Sequence, residues 1–79
     1  MSQLTVRIRD LGLAAALVSS GHEMRGTSRD ISGRFYFIFA QTNEIDRDTN
    51  AYWADTLNVR ARNFFDNTKM LKGRIYADE

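Results

Sequence analysis

The chain predicts a small α+β domain, a three-stranded sheet packed by helices in the order β-α-β-β-α-α. Three observations carry that expectation. Leu4, Val6 and Ile8 alternate with Thr5, Arg7 and Arg9, the period of two expected of a strand with one buried face. Phe35-Tyr-Phe-Ile-Phe39 is apolar on both faces, as suits a strand at the centre of a sheet and covered on each side. Between and after these runs, apolar residues recur at spacings of three and four, the helical period. Strands and helices mixed in this order make an α+β domain.

The first strand stops at Asp10, and Asp10 to Ser20 reads as a helix. Leu11, Leu13, Ala14, Leu17 and Val18 cover more than half its circumference, so it is expected to be buried on most sides. Asp10 suits its N-terminal end, where a carboxylate meets free N–H groups. Gly21 is placed to stop it. A second strand begins near Glu23 and turns at Ser32-Gly33 into the Arg34–Ala40 strand. Helices are expected to cover one side of that strand, and a second copy of the chain the other. Thr42 or Asn43 caps a second helix that runs to Ala54, with Ile45, Thr49, Tyr52 and Trp53 on one face. Asn58 is expected to cap a third helix, Val59 to Tyr76, with a buried stripe of Ala61, Phe64, Thr68, Leu71 and Ile75.

Size and composition bound the function. Seventy-nine residues make a single domain spanning 1–79. Five Phe, three Tyr and one Trp, with 43% hydrophobic residues, exclude intrinsic disorder. A net charge of +1 excludes a polycation that coats duplex DNA. Without cysteine there is no disulfide framework or thiolate chemistry, and one histidine cannot anchor a transition metal. A core this small is usually reinforced, which leaves oligomerisation, a homodimer or larger, as the expected reinforcement. The apolar run Leu11–Val18 is too short to span a bilayer and poorly flanked for a signal peptide. The chain reads as cytoplasmic, with no membrane and no cofactor.

Four phrases carry a family likeness: Arg9-Asp-Leu-Gly-Leu-Ala-Ala-Ala-Leu17 followed by Gly21-His22; Phe35-Tyr-Phe-Ile-Phe39; Ala51-Tyr-Trp53; and Leu71-Lys-Gly-Arg-Ile-Tyr76. In this order they resemble a small bacterial and phage family, domain of unknown function 5659. The hairpin Met24 to Arg34 is longer here than in the family pattern. The resemblance implies one compact domain and a phage or mobile-element setting, and it brings no reaction and no catalytic residues.

His22 could serve as a general base near Ser19 or Ser20, but a cation at a helix C-terminus explains it without catalysis. Asp46 to Asn50 starts like a calcium loop, yet the sixth and twelfth places hold Ala51 and Leu57 where glycine and glutamate are needed. Glu44, Asp46, Asp48 and Asp55 read as a solvated face. The five glycines form no phosphate loop. An enzyme is not expected.

The bias lies in the basic residues, nine of eleven being Arg, the side chain suited to bidentate phosphate contacts and stacking. Residues 40–56 carry net charge −3 and residues 57–77 carry +4. Arg62, Phe65, Lys69, Lys72 and Tyr76 fall on one flank of the third helix, a basic strip with aromatics between. With Arg60 and Arg74 on the opposite flank, the favoured reading is that these stems cover the rim of the buried stripe with their heads in water. Arg25, Arg29 and Arg34 flank the hairpin. The expected function is a non-enzymatic, homo-oligomeric module that binds a phosphate-bearing ligand, nucleic acid or nucleotide, through Arg25, Arg29, Arg34, Arg62 and Lys69. If phage-derived, sequestering a host signalling nucleotide is one route. The alternative is a protein-interaction or inhibitor module that docks a host or phage protein on an aromatic patch around Tyr52 and Trp53.

Overall fold

Residues 4–77 are described by a computed structural model. They form β1 (Thr5–Ile8), α1 (Leu11–Ser19), β2 (Met24–Arg29), β3 (Phe35–Ala40), α2 (Asn43–Trp53) and α3 (Ala61–Ala77), the α+β order expected. The three strands pair antiparallel as β1-β3-β2, so the most apolar strand is the central one.

Register sorts the two faces of the sheet. Val6 and Ile8 of β1 and Met24 and Thr27 of β2 stand opposite Phe39 and Phe37, and these side chains meet the helices. Phe37 and Phe39 are fully buried there with Leu13, Leu17, Ile45 and Leu71. The opposite face carries Arg7, Gly26, Ser28, Tyr36 and Ile38. No element among the described residues closes over it as the helices close over the other. Tyr36 and Ile38 are half-buried, and the Arg7 guanidinium lies 4.8 Å from the centre of the Tyr36 ring. The expected second cover is therefore not supplied from within the described chain. Leu4 precedes β1 and is exposed, so the core alternation begins only at Val6.

α1 is the hub. Ala14, Ala15 and Leu17 have no exposed surface, and the helix packs on α3, on α2 and beside β1. Its three consecutive alanines permit close approach on several sides at once. Asp10 caps it, its Oδ1 accepting from the Leu13 amide at 2.8 Å. At the other end the Gly21 amide donates to the Val18 carbonyl and the His22 amide to that of Leu17, both at 3.0 Å. This is the Schellman arrangement, and Gly21 takes its left-handed position at φ 94°.

α2 is capped by Thr42, whose Oγ1 accepts from the Ile45 amide. Only Ile45 is fully buried on it, and Tyr52 is half-buried. Trp53 departs from the expected face and is 62% exposed. α3 begins two residues later than its periodicity suggests. The Arg60 carbonyl accepts its first helical bond, from Phe64, so Asn58 lies outside the cap and Val59 in the connection. Its stripe is Phe64, Thr68, Leu71 and Ile75, with Leu71 fully buried. Ala61 is exposed at the first turn, and Asn67 joins the interface by donating to the Ser19 hydroxyl at 2.9 Å. Among the described residues no helix is long and apolar enough to cross a membrane.

Candidate functional site

The residues with chemical potential gather in four places. The first is the β2–β3 hairpin. Arg25 is the extra residue of a bulge, since Met24 faces Phe39 and Gly26 faces the adjacent Ile38. It forms an exposed ion pair with Glu23 at 3.7 Å. Arg29 donates to the Gly33 carbonyl at 2.8 Å and lies over the Phe35 ring. Asp30 is next to Arg29 in the chain but has other partners. Its Oδ1 accepts from the Ser32 amide and hydroxyl and from the Arg34 amide, and its Oδ2 accepts from the Tyr36 hydroxyl. The Ser32 hydroxyl, then the Arg34 amide, lead in lowering its pKa from 3.8 to about 2. Of the three hairpin arginines, Arg34 is the most exposed in role, for its side chain has no ion pair or hydrogen bond among the described residues, whereas Arg29 braces the turn.

The second is the outer flank of α3. Arg62, Phe65, Lys69, Lys72 and Tyr76 are all exposed, Phe65 by 61% and Tyr76 by 68%. The Lys69 ammonium is 5.4 Å from the centre of the Phe65 ring. Among the described residues none of Arg62, Lys69 and Lys72 makes an ion pair, although Asp66 stands one turn from Arg62. The five phosphate candidates thus fall into two groups, Arg25, Arg29 and Arg34 on the hairpin and Arg62 and Lys69 on α3. The principal packing of α3 is on α1, not on the hairpin.

The third is a cleft of about 410 Å³ between the end of α1 and the start of α2. Here His22 Nε2 lies 2.6 Å from Asp48 Oδ2, with the two side chains 12% and 15% exposed. Asp48 therefore does not belong to a solvated face, as its place among acidic neighbours suggested. Glu44 and Asp46 do lie exposed. The Arg47 guanidinium is 3.6 Å from the other oxygen of Asp48, while Ser20, Glu23, Thr42 and Glu44 complete the walls. The pairing supplies the acid that a general-base reading of His22 lacked. Ser19 is committed elsewhere, donating to the Ala15 carbonyl and accepting from Asn67, and Ser20 makes no hydrogen bond to the imidazole. The pair ties the turn after α1 to α2. It was invisible in sequence because its members are 26 positions apart. No group of three or more His, Asp or Glu among the described residues could hold a metal ion.

The fourth is a cleft of about 360 Å³ under the α2–α3 connection, lined by Ala16, Tyr52, Asp55, Leu57, Val59 and Phe64. Tyr52 is half-buried, and its hydroxyl approaches the open flank of Gly12 beside the Asp10 carboxylate. Burial, then the Asp10 charge, pushes that hydroxyl above its ordinary pKa of 10, so it remains protonated. Trp53 stands edge-on to Tyr52 with ring centres 5.0 Å apart. The two aromatic candidates thus have different roles: Tyr52 forms a wall, and Trp53 projects outward. Asp55 closes α2 by the same Schellman arrangement as Gly21, its amide donating to Tyr52 and the Thr56 amide to Ala51. It does so at φ 60°, as the only described residue other than glycine with positive φ. Its carboxylate has no hydrogen bond or ion pair among the described residues. Sequence reasoning grouped Asp55 with the acidic face and missed this role. The signal was present: the residue follows the last helical position, where glycine is usual.

Comparison with known proteins adds one finding. A family described as domain of unknown function (DUF5659) matches residues 4–77. No curated protein and no solved structure matches.

Proposed function

For a chain that belongs to the DUF5659 family, whose description assigns no activity, we propose a non-enzymatic binding module for single-stranded nucleic acid. The observation that supports it most is the flank of α3, where two exposed aromatic rings are interspersed among three cations that have no ion-pair partner among the described residues. From Arg62 to Tyr76 that flank is about 21 Å long at 1.5 Å per residue. Strand phosphates would lie along Arg62, Lys69 and Lys72, with bases against Phe65 and Tyr76. A convex helix flank cannot enclose a free mononucleotide, which favours an extended ligand. Arg34, and less directly Arg25 and Arg29, would contact phosphate at the hairpin.

The same flank disfavours self-pairing through α3, because a two-fold contact would set these cations against their own copies. Self-association is better placed on the open face of the sheet at Tyr36 and Ile38. A phage or mobile-element setting belongs to this reading through the family resemblance alone, and a cytoplasmic one through the short apolar run Leu11–Val18.

The test is fluorescence anisotropy of a labelled single-stranded DNA of about ten nucleotides across 50–200 mM salt. Affinity is expected to fall steeply with salt, and each of Arg62→Gln and Lys69→Gln to reduce the log–log slope by about 0.7. Absent binding, or binding indifferent to salt, would sink the proposal. The second reading, a protein partner, is favoured by Trp53, whose indole is exposed beside the Tyr52 cleft. It predicts a complex that is insensitive to salt and lost in Trp53→Ala.

A further inference from the structure

We propose that the cleft at the head of α3 reads a guanine base of the bound strand, with the Asp55 carboxylate as the reading group. The inference rests on the nucleic-acid reading above and names what that site selects. Three independent features converge there. Asp55 holds the left-handed position of a Schellman cap at φ 60°, where glycine fits without strain and an L side chain costs stability. A side chain kept at such a position marks a candidate for function. Asp55 is exposed at the cleft edge and its carboxylate is unpartnered among the described residues, so it is open to a ligand, although Arg60 and Arg62 follow closely in the chain. The remaining walls are flat or apolar: Tyr52, Phe64, Leu57, Val59 and Ala16 around about 360 Å³, the low end of the range for pockets that hold a small ring system.

The chemistry of the carboxylate selects the base. An ionised Asp only accepts hydrogen bonds. Guanine presents two adjacent donors on its pairing edge, the ring N1–H and the exocyclic N2 amino group, which match two carboxylate oxygens. Adenine and cytosine present one amino donor beside an acceptor nitrogen. Uracil and thymine present one N–H between two carbonyls. In each of those a carboxylate oxygen would face a lone pair. The aromatic walls stack on the base, and Phe64 of the cleft is followed in the chain by Phe65 of the cationic flank.

The experiment compares labelled ten-nucleotide oligothymidylates carrying one central guanine, hypoxanthine, adenine or xanthine. The unaltered protein is expected to bind the guanine strand about tenfold tighter than the hypoxanthine strand, which lacks only the N2 amino group. Asp55→Asn is expected to transfer the preference to xanthine, whose C2 carbonyl accepts from the new amide. Asp55→Gly keeps the helix cap and is expected to bind all four strands alike. Equal, salt-dependent binding of every strand by the unaltered protein would overturn the guanine inference and leave the nucleic-acid proposal standing. No binding of any strand would overturn both.

Discussion

α1 and α2 end in the same hydrogen-bond pattern, yet the two ends are put to different uses. After α1, Gly21 occupies the left-handed position, and His22 beside it is fastened to Asp48. The imidazole that closes that corner has a carboxylate partner, and the pair is a clasp between elements. After α2, Asp55 occupies the equivalent position under strain, and its carboxylate is unpartnered among the described residues. The difference teaches how to separate structural from functional polar residues on one small chain. A charge that is paired and half-buried secures the fold. An exposed charge carried at a left-handed position beside an aromatic cleft, where glycine would be less strained, is a candidate for function instead.

The comparison can be broken first at the clasp. Asp48→Ala leaves His22 without its partner and is expected to cost about 2 kcal/mol, the scale of a hydrogen bond involving a charged group. Urea denaturation would show it, with oligonucleotide affinity unchanged at temperatures where the variant is folded. An undisturbed midpoint would mean that the 2.6 Å pair contributes nothing. Next comes the cap itself. Gly21→Ala should lose about 1–2 kcal/mol, because a Cβ at φ 94° is strained. Asp55→Gly should move the midpoint the other way, by up to about 1 kcal/mol, since it relieves strain while freeing the unfolded chain. If both substitutions destabilise, the two helix ends are not equivalent.

The wall of the aromatic cleft offers a sharper cycle. A Cβ on Gly12 would meet the Tyr52 hydroxyl, and would lie 3.3 Å from Asp10 Oδ1. Gly12→Ala should therefore destabilise the unaltered protein by roughly 1 kcal/mol through overpacking. In a Tyr52→Phe background the ring carbon at 3.5 Å is an ordinary contact and only Asp10 Oδ1 at 3.3 Å remains tight, so the same substitution should cost less than in the unaltered protein. An equal cost in both backgrounds would mean that Tyr52 is not held over Gly12. The smallest effect belongs to the hairpin. The Asp30 pKa is depressed in the folded chain, so its contribution is complete above the unfolded value near 4 and is lost as pH falls towards about 2. The Ser32 and Arg34 amide resonances should shift through that window, and Asp30→Asn should abolish the titration.

Much of this architecture was legible because it is periodic. The alternation in β1, the doubly apolar β3, the near-complete burial of α1 and both Asp10 and Gly21 as its stops follow from residue type and spacing. Departures arise where tertiary geometry outweighs local pattern. Trp53 is adjacent to Tyr52 and points about 100° away from it, and α2, which buries only Ile45, has too narrow a packed face to cover both. The late start of α3 follows from the connection after Asp55, which no periodicity encodes. The candidate sites were legible by half. The α3 flank was readable as a row of residue types. The His22–Asp48 pair and the Asp55 cleft required the fold, for each joins residues from different elements.

The sheet order β1-β3-β2 also governs how the molecule is assembled during synthesis. The strand that both others need is the last of the three to leave the ribosome, so neither β1 nor β2 has a partner until Phe35–Ala40 is made. β2 can then close locally through its short turn, whereas β1 must pair with residues 29 to 35 positions away, from Ile8 with Phe37 to Thr5 with Ala40, the slower event. Leu71, which completes the packing on α1, follows some thirty residues after β3. A nascent chain halted before α3 therefore holds a sheet whose principal helix still lacks its largest partner, and the domain gains its cooperativity only as its last quarter emerges.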